Sequence, residues 1–341
     1  MGLINENIEI TKSNETKEAY LDRTLALFKR FTKESNKDAK TNLHEFIDWM
    51  VGLKPSIGPS TWRQYKSSIV WFLESRSENS LALTLKETKN DGCKNIRRLS
   101  MEQRKTSSKK KKSITEREEE LIVKHLELTA SESFWAKPTL AFFNAMLLTG
   151  LRPDEWQNAV LFTKNAEDIC SLELPVLKVK NAKSTNERSH GEYRHLGLSS
   201  LTKAELIYIR IAIQYANGQS PQGWITQEGK VDNYHTYYKF IRSHLYRTTT
   251  KLFPTATRRV TPYSCRHQFI ANLKKAKYSR EEIAALVGHA TDETATVHYG
   301  RTKFGRSRSG LPKADPSEVK KIRNIYKGRP AHAVGPAPSE G

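Results

Sequence analysis

The sequence predicts a mostly α protein, α+β overall. A small N-terminal helical bundle precedes a larger helical domain carrying a small antiparallel β-hairpin. Three observations predict this. Apolar residues recur at helical spacing as far as Phe72, residues 86–113 turn basic and poor in core residues, and two segments beyond them alternate apolar with polar around a long polar turn.

In the first part, Tyr20, Thr24, Leu27 and Phe31 fall on one helical face, which Leu21, Leu25 and Phe28 widen. Leu43, Phe46, Ile47 and Met50 repeat the i, i+3, i+4, i+7 pattern. After the breaker run from Lys54 to Pro59, Thr61 and Gln64 predict a capping box for a helix burying Trp62, Tyr65, Ile69 and Phe72. Together these helices predict a domain over residues 1–85. The linker 86–113 holds eleven basic residues against the acidic Glu87, Asp91 and Glu102. Its run Lys109, Lys110, Lys111, Lys112 is expected to neutralise phosphates; a solvated linker and a nuclear-localisation signal are the other readings.

A second domain is expected over 114–327. Thr115 and Glu118 predict a capping box, and Glu116, Glu118, Glu119 and Glu120 suit a helix start better than a metal site. The apolar helix through Phe142, Phe143, Met146 and Leu147 ends at Gly150, and Pro153 opens the next. Val176–Lys180 and Tyr193–Leu198 alternate like strands around the turn 181–192. A last helix from Asp315–Pro316, with a stripe of Val319, Ile322, Ile325 and Tyr326, is expected to dock on a neighbouring copy, packing within its own domain being the other reading. Residues 328–341, rich in Pro, Ala and Gly, are expected to form a flexible tail.

Of 341 residues, 57 are Lys or Arg and 37 Asp or Glu, for a net charge of +20. Such an excess calls for a polyanion, either nucleic acid or an anionic membrane surface. No apolar run reaches membrane-spanning length, and the start Met1–Glu6 has neither a signal layout nor a myristoylation pattern. The expectation is a soluble protein that meets nucleic acid and no membrane. Cys93, Cys170 and Cys265 are dispersed, without zinc spacing, which predicts a reduced cytosolic setting and no metal. Cys265 is expected to pack.

The chemistry lies in four segments: Thr149–Glu155 with Arg152, Thr261–His267 with Arg266, Leu286–His289, and Tyr299 ten residues after His289. Guanidinium is permanently charged and donates two hydrogen bonds to a phosphate, so two arginines suit a phosphodiester that gains charge under attack. The apolar flanks Leu147–Leu151 and Phe269–Leu273 anchor each arginine beside the interior. Both arginines are expected near the backbone donors of helix starts, which favour anions. A metal nuclease is disfavoured, because no carboxylate cluster accompanies the basic motifs.

In this order and spacing these residues resemble the tyrosine recombinases, the phage-integrase family. The resemblance is motif-level over 114–327 and architectural over 15–85, where it points to a core-binding domain. It implies that Arg152 and Arg266 are the catalytic arginines, that His289 contacts the scissile phosphate, and that Tyr299 attacks it. The product is a 3′-phosphotyrosine and a free 5′ hydroxyl, with neither cofactor nor metal. Glu155 then orients an arginine, and His267 either supports the site or packs in the core. A hairpin lysine protonates the leaving oxygen. Lys178, Lys180 and Lys183 compete for that role, and Lys183 fits the family's location best. Tyr263 stands where the family has histidine; at a pKa of ~10 it hydrogen-bonds a phosphate but shuttles protons poorly. Tyr278 reads as structural and His298 as incidental.

The partners implied are double-stranded DNA and a homotetramer on paired sites, with an accessory DNA-bending or co-recombinase protein. The setting implied is the bacterial cytoplasm, at the nucleoid, in integration, excision or cointegrate resolution of a mobile element. The alternatives are a type IB topoisomerase-like relaxing enzyme and a DNA-binding protein without catalysis.

Overall fold

The structure, a computed structural model, describes residues 14–89, 91–94, 111–164, 170–182, 190–218, 225–226, 229–230, 234–293, 300–308 and 310–325. Tyr299, Lys183, Lys109, Lys110, Tyr326 and the tail 328–341 lie outside the described residues. The chain divides into two compact units, 1–105 and 106–341.

The first unit is a helical bundle of α1 (Asn14–Ser35), α2 (Leu43–Gly52), α3 (Pro59–Ser75) and α4 (Asn79–Glu87). Its core is aromatic: Phe28 meets Phe46 and Phe72 edge to face at centroid distances of 4.7 and 5.2 Å. Leu27, Phe31, Met50, Trp62 and Ile69 complete it. Two expectations are corrected. Helix α3 starts at Pro59 with Gly58 as its N-cap, so Thr61 and Gln64 lie inside the helix and form no box; a proline at the first position pre-sets the helical φ. Leu21 is 39% exposed and does not widen the stripe. Helix α4 runs to Glu87, two residues into the expected linker, and Lys66 Nζ caps its end by donating to the carbonyls of Lys86 and Thr88.

The second unit is built around α6 (Ala136–Thr149), which is buried nearly all round and packs against α5 (Glu116–Leu128), α7 (Lys203–Ala216), α8 (Tyr234–Leu252) and α9 (Pro262–Lys275). A helix apolar on every face belongs at the centre of a domain. The capping box of α5 is present: Glu118 N donates to Thr115 Oγ1 at 3.3 Å, and Thr115 N to Glu118 Oε2 at 2.9 Å. A 3₁₀ turn, Pro153–Asn158, follows Arg152.

The predicted hairpin is the centre of a larger antiparallel sheet of β1 (Val160–Phe162), β2 (Val176–Lys180), β3 (Tyr193–Gly197) and, after a separate short pair β4 and β5 (Ile225–Thr226, Gly229–Lys230), β6 (Lys313–Ala314), in the order β1-β2-β3-β6. Its register sets Val176 opposite Gly197 and Lys180 opposite Tyr193. Helix α10 (Arg280–Val287) lies against β3 and β6. Its own box, Ser279 with Glu282, starts it, and Gly288 ends it in the left-handed conformation. Tyr278 packs beside this start against the domain core.

The C-terminal expectation is corrected. Helix α11 is a single turn, Pro316–Val319, capped by Asp315 Oδ1 accepting from Ser317 N at 2.8 Å. Beyond it Ile322 is buried against Ala284 and Ala285 of α10, while Ile325 is 49% exposed. The stripe therefore does not form one continuous helix face: Val319 and Ile322 pack on the domain that carries them, whereas Ile325 does not. Among the described residues no helix is long and apolar enough to cross a membrane.

Candidate active site

Two helix ends build the site. Helix α6 closes at Gly150 and α10 at Gly288, both left-handed, with φ of 62° and 68°. Their last carbonyls have no partner within the helix, and arginines from elsewhere take them. Arg266, four residues into α9, donates from Nη1 to the Gly150 carbonyl at 2.7 Å and from Nη2 to the Val287 carbonyl at 2.7 Å. One guanidinium thus ties both ends together. Arg152 Nη2 reaches the Gly288 carbonyl at 3.4 Å, and Arg194 Nε the Leu286 carbonyl at 2.9 Å. The expectation that these arginines sit at helix donors is corrected: they sit on acceptors, where the negative end of the helix dipole favours a cation.

One carboxylate holds the arginines in register. Glu155 Oε1 accepts from Arg152 Nη1 at 2.7 Å, and Oε2 accepts from the Arg152 backbone N–H and from Arg194 Nη2, each at 2.7 Å. Burial alone would raise the Glu155 pKa, but Arg194, Arg152 and Arg266 outweigh it and bring it down to about 2. Asn181 Oδ1 accepts from Nη1, the remaining Arg194 nitrogen. Three guanidiniums against a single carboxylate leave excess positive charge in a dry site, and the complement of such a cluster is an anion.

His289 follows Gly288 directly and is buried. Arg266 Nη2 lies 3.2 Å from His289 Nε2. Guanidinium only donates, so in this contact Nε2 is the accepting nitrogen. Gly288 is required here. A Cβ would lie 2.5 Å from Asn181 Oδ1 and 2.9 Å from Arg194 Nη1, on a backbone that side chains rarely adopt.

Of the predicted residues, the structure brings together Arg152, Glu155, Arg266 and His289. His267 lies one helical step from Arg266 and is 8% exposed. Burial first, then the charges of Lys112, Arg266 and Lys274, bring its pKa down to about 4, so it is neutral near pH 7. Tyr263 stacks edge-on to the His267 ring at 5.7 Å. The last part of the basic linker runs beside α9: the Lys111 carbonyl accepts from Ser264 Oγ at 2.6 Å, and Ile114 N donates to Gln268 Oε1 at 2.9 Å. The Lys111 ammonium pairs with Glu118, whereas Lys112 is exposed. Lys178 Nζ sits 4.6 Å from the centre of the Tyr193 ring, and Lys180 Nζ is 3.3 Å from Glu192. Gly300, the residue after Tyr299, is pressed onto α9. A Cβ there would be 2.2 Å from the His267 carbonyl, and Lys274 Nζ donates to the Gly300 carbonyl at 2.9 Å.

The sequence reading missed Arg194, although a signal was present. In Tyr193–Leu198 the alternation sets Arg194 on the same strand face as the core residue Leu196, and an arginine there needs a buried carboxylate.

No family model matches the chain, and no curated protein matches it. Among solved structures it is similar to XerA recombinase at 15% identity, covering 90% of this chain and 97% of that one with a TM-score of 0.36. It is similar to XerH site-specific recombinase bound to its difH substrate in a pre-cleavage complex, at 14% identity over 83% and 75% of the two chains, with a TM-score of 0.45. A third similarity is to the Tn1549 transposon integrase in complex with a circular intermediate DNA, at 14% identity over 85% and 90%, with a TM-score of 0.49.

Proposed function

We propose that the protein is a site-specific DNA recombinase that cuts and rejoins strands through a phosphotyrosine at Tyr299. The observation that carries this is the convergence of Arg152, Arg266 and His289 on the end of α10, with more positive than negative charge. In the reaction, the Tyr299 phenol gives up its proton to water and its oxygen bonds to phosphorus. The bond from phosphorus to the 5′ oxygen breaks, and that oxygen takes a proton from Lys183. Arg152 and Arg266 neutralise the two non-bridging oxygens as charge builds on them, and His289 donates to the same phosphate. Tyr263 adds a hydroxyl donor where the family has imidazole. The bond energy is kept in the phosphotyrosine, so rejoining needs no cofactor.

Duplex DNA as partner is supported by the net charge of +20 and by α8, which contains no acidic residue. His235, Lys239, Arg242 and Tyr246 stand exposed at helical spacing along it. Basic groups interleaved with an aromatic suit phosphates and base edges. In this proposal four copies assemble on two sites and exchange strands for a mobile element, aided by an accessory protein.

The test is a nicked duplex carrying a site selected from random DNA by binding to the full chain. Wild type should form a covalent adduct that survives denaturant, and Tyr299→Phe should bind the DNA but form none. An adduct in the variant means another nucleophile. No adduct in wild type means a binding protein, and relaxation of supercoils without exchange between sites means a topoisomerase.

A further inference from the structure

The C-terminal segment does more than finish the fold, for it touches the loop of His289 from two sides. Strand β6 pairs with β3, Leu196 opposite Ala314, and Ile322 is buried on α10. Between them Glu318, 5% exposed, reaches the hairpin. Its Oε1 accepts from His195 Nδ1 at 2.8 Å, and its Oε2 accepts from His195 N at 3.1 Å and lies 3.6 Å from His190 Nε2. The other nitrogen of His190, Nδ1, lies 3.3 Å from the His289 carbonyl. Both ring nitrogens of His190 therefore face acceptors, one on the C-terminal segment and one on the backbone of His289, and its side chain is 1% exposed. Downstream, Arg323 N donates to the Ala290 carbonyl at 3.0 Å, Asp292 N to the Arg323 carbonyl at 3.3 Å, and Ile325 N to Asp292 Oδ1 at 2.9 Å. Residues 289–292 are thus held on both flanks by 313–325 of the same chain.

We propose that residues 313–325 form a brace acting within one protomer to position His289, with Glu318 as the positioning residue and His190 as its arm. Glu318 does not touch the reacting phosphate. Burial would raise its pKa, but the nearby His190 ring and the hydrogen bonds from the His195 ring and backbone outweigh that and bring it to about 2, so it is a carboxylate near pH 7. The contact is specific to a charged acceptor, because a neutral amide in its place satisfies one histidine donor less well and offers an N–H where a carboxylate oxygen was.

This rests on the proposed phosphoryl-transfer site, and the experiment separates the two. Full-length Glu318→Gln, Glu318→Asp and His190→Gln are compared with wild type by histidine ring ¹⁵N–¹H spectra, thermal melting and adduct formation on the nicked duplex. In Glu318→Gln and His190→Gln the His289 ring signals should move, although neither side chain touches that ring. Adduct formation should fall roughly tenfold or more, as expected for a displaced catalytic group, while DNA affinity stays within error and Glu318→Asp recovers part of the loss. Unmoved His289 signals in folded His190→Gln would overturn the brace, whether or not any adduct forms. Mixing Glu318→Gln with Tyr299→Phe protomers supplies the last check. If intact segments on the Tyr299→Phe copies restore adduct formation, the brace passes between copies and the proposal of action within one protomer fails.

Discussion

Arg194 and Glu155 meet at 2.7 Å with both side chains fully excluded from water. The strand that carries Arg194 is thereby locked to the segment that carries Arg152, since the same carboxylate also holds the Arg152 guanidinium and backbone. Removing one partner of a buried pair leaves the other charged and without compensation. Arg194→Ala should therefore destabilise the protein by about 3–5 kcal/mol. Arg194→Lys should not restore it, because an ammonium cannot serve Leu286, Asn181 and Glu155 from three separate directions. Urea denaturation of the full chain measures both. A loss under ~1 kcal/mol, the range of an exposed pair, would show that Glu155 is held by Arg152 alone.

Gly288 separates stability from chemistry. In Gly288→Ala the new methyl strikes the Asn181–Arg194 contact on a left-handed backbone, at a cost of about 1–3 kcal/mol. His289 is the next residue, so the same shift carries its ring away from Arg266. DNA binding should be nearly unchanged while adduct formation falls well beyond what the lost folded fraction accounts for. Gel shift and denaturing gel on the same samples check this.

Acid should unfold the protein in two steps. His267 and His244 are held neutral chiefly by burial, each with a pKa lowered from 6.5 to about 4. The unfolded chain takes up protons there that the folded one refuses, so stability falls as pH drops from 6.5 toward 4. Glu155 and Glu318, lowered from 4.5 to about 2, contribute stability present above 4.5 and lost as pH falls toward 2. His267→Gln should flatten the upper step of the melting temperature against pH. Glu155→Gln should flatten the lower one and melt earlier at pH 7. A single step unchanged by His267→Gln would place the upper proton uptake elsewhere.

What the sequence made legible is what local rules govern. The caps at Thr115–Glu118 and Gly150, the hairpin, and the segments holding Arg152, Arg266 and His289 each announce themselves within a few residues. The Thr202–Glu205 box that opens α7 is equally local. Other features depend on partners far along the chain. Nothing near Glu318 indicates that it meets His195, and Ile325 looked buried only if α11 continued past Val319. The arginines were assigned to helix starts by their own neighbours. Their bonds go to the ends of other helices, which no single segment reveals.

The identity of the proton donor gives the last prediction. Two of the three candidate lysines have other engagements: Lys178 lies over the Tyr193 ring, and Lys180 is paired with Glu192 on the strand's exposed side. Lys183 follows Asn181 and Ala182 in the sequence, and Asn181 is fixed by donating to the Gly191 carbonyl at 2.8 Å and accepting from Arg194. Lys183 thus stands two residues from an anchor in the arginine cluster, which suits an acid that must reach the leaving oxygen. Lys183→Ala should slow cleavage of an ordinary duplex on the order of a hundredfold. A substrate with sulfur in place of the bridging 5′ oxygen should be cleaved at nearly the wild-type rate, because a thiolate leaves without a proton. Lys180→Ala should leave both substrates unaffected beyond a small change in salt dependence, since Glu192 already takes its charge. If the sulfur substrate rescues Lys180→Ala and not Lys183→Ala, the acid is Lys180, and the pair with Glu192 must open when DNA binds.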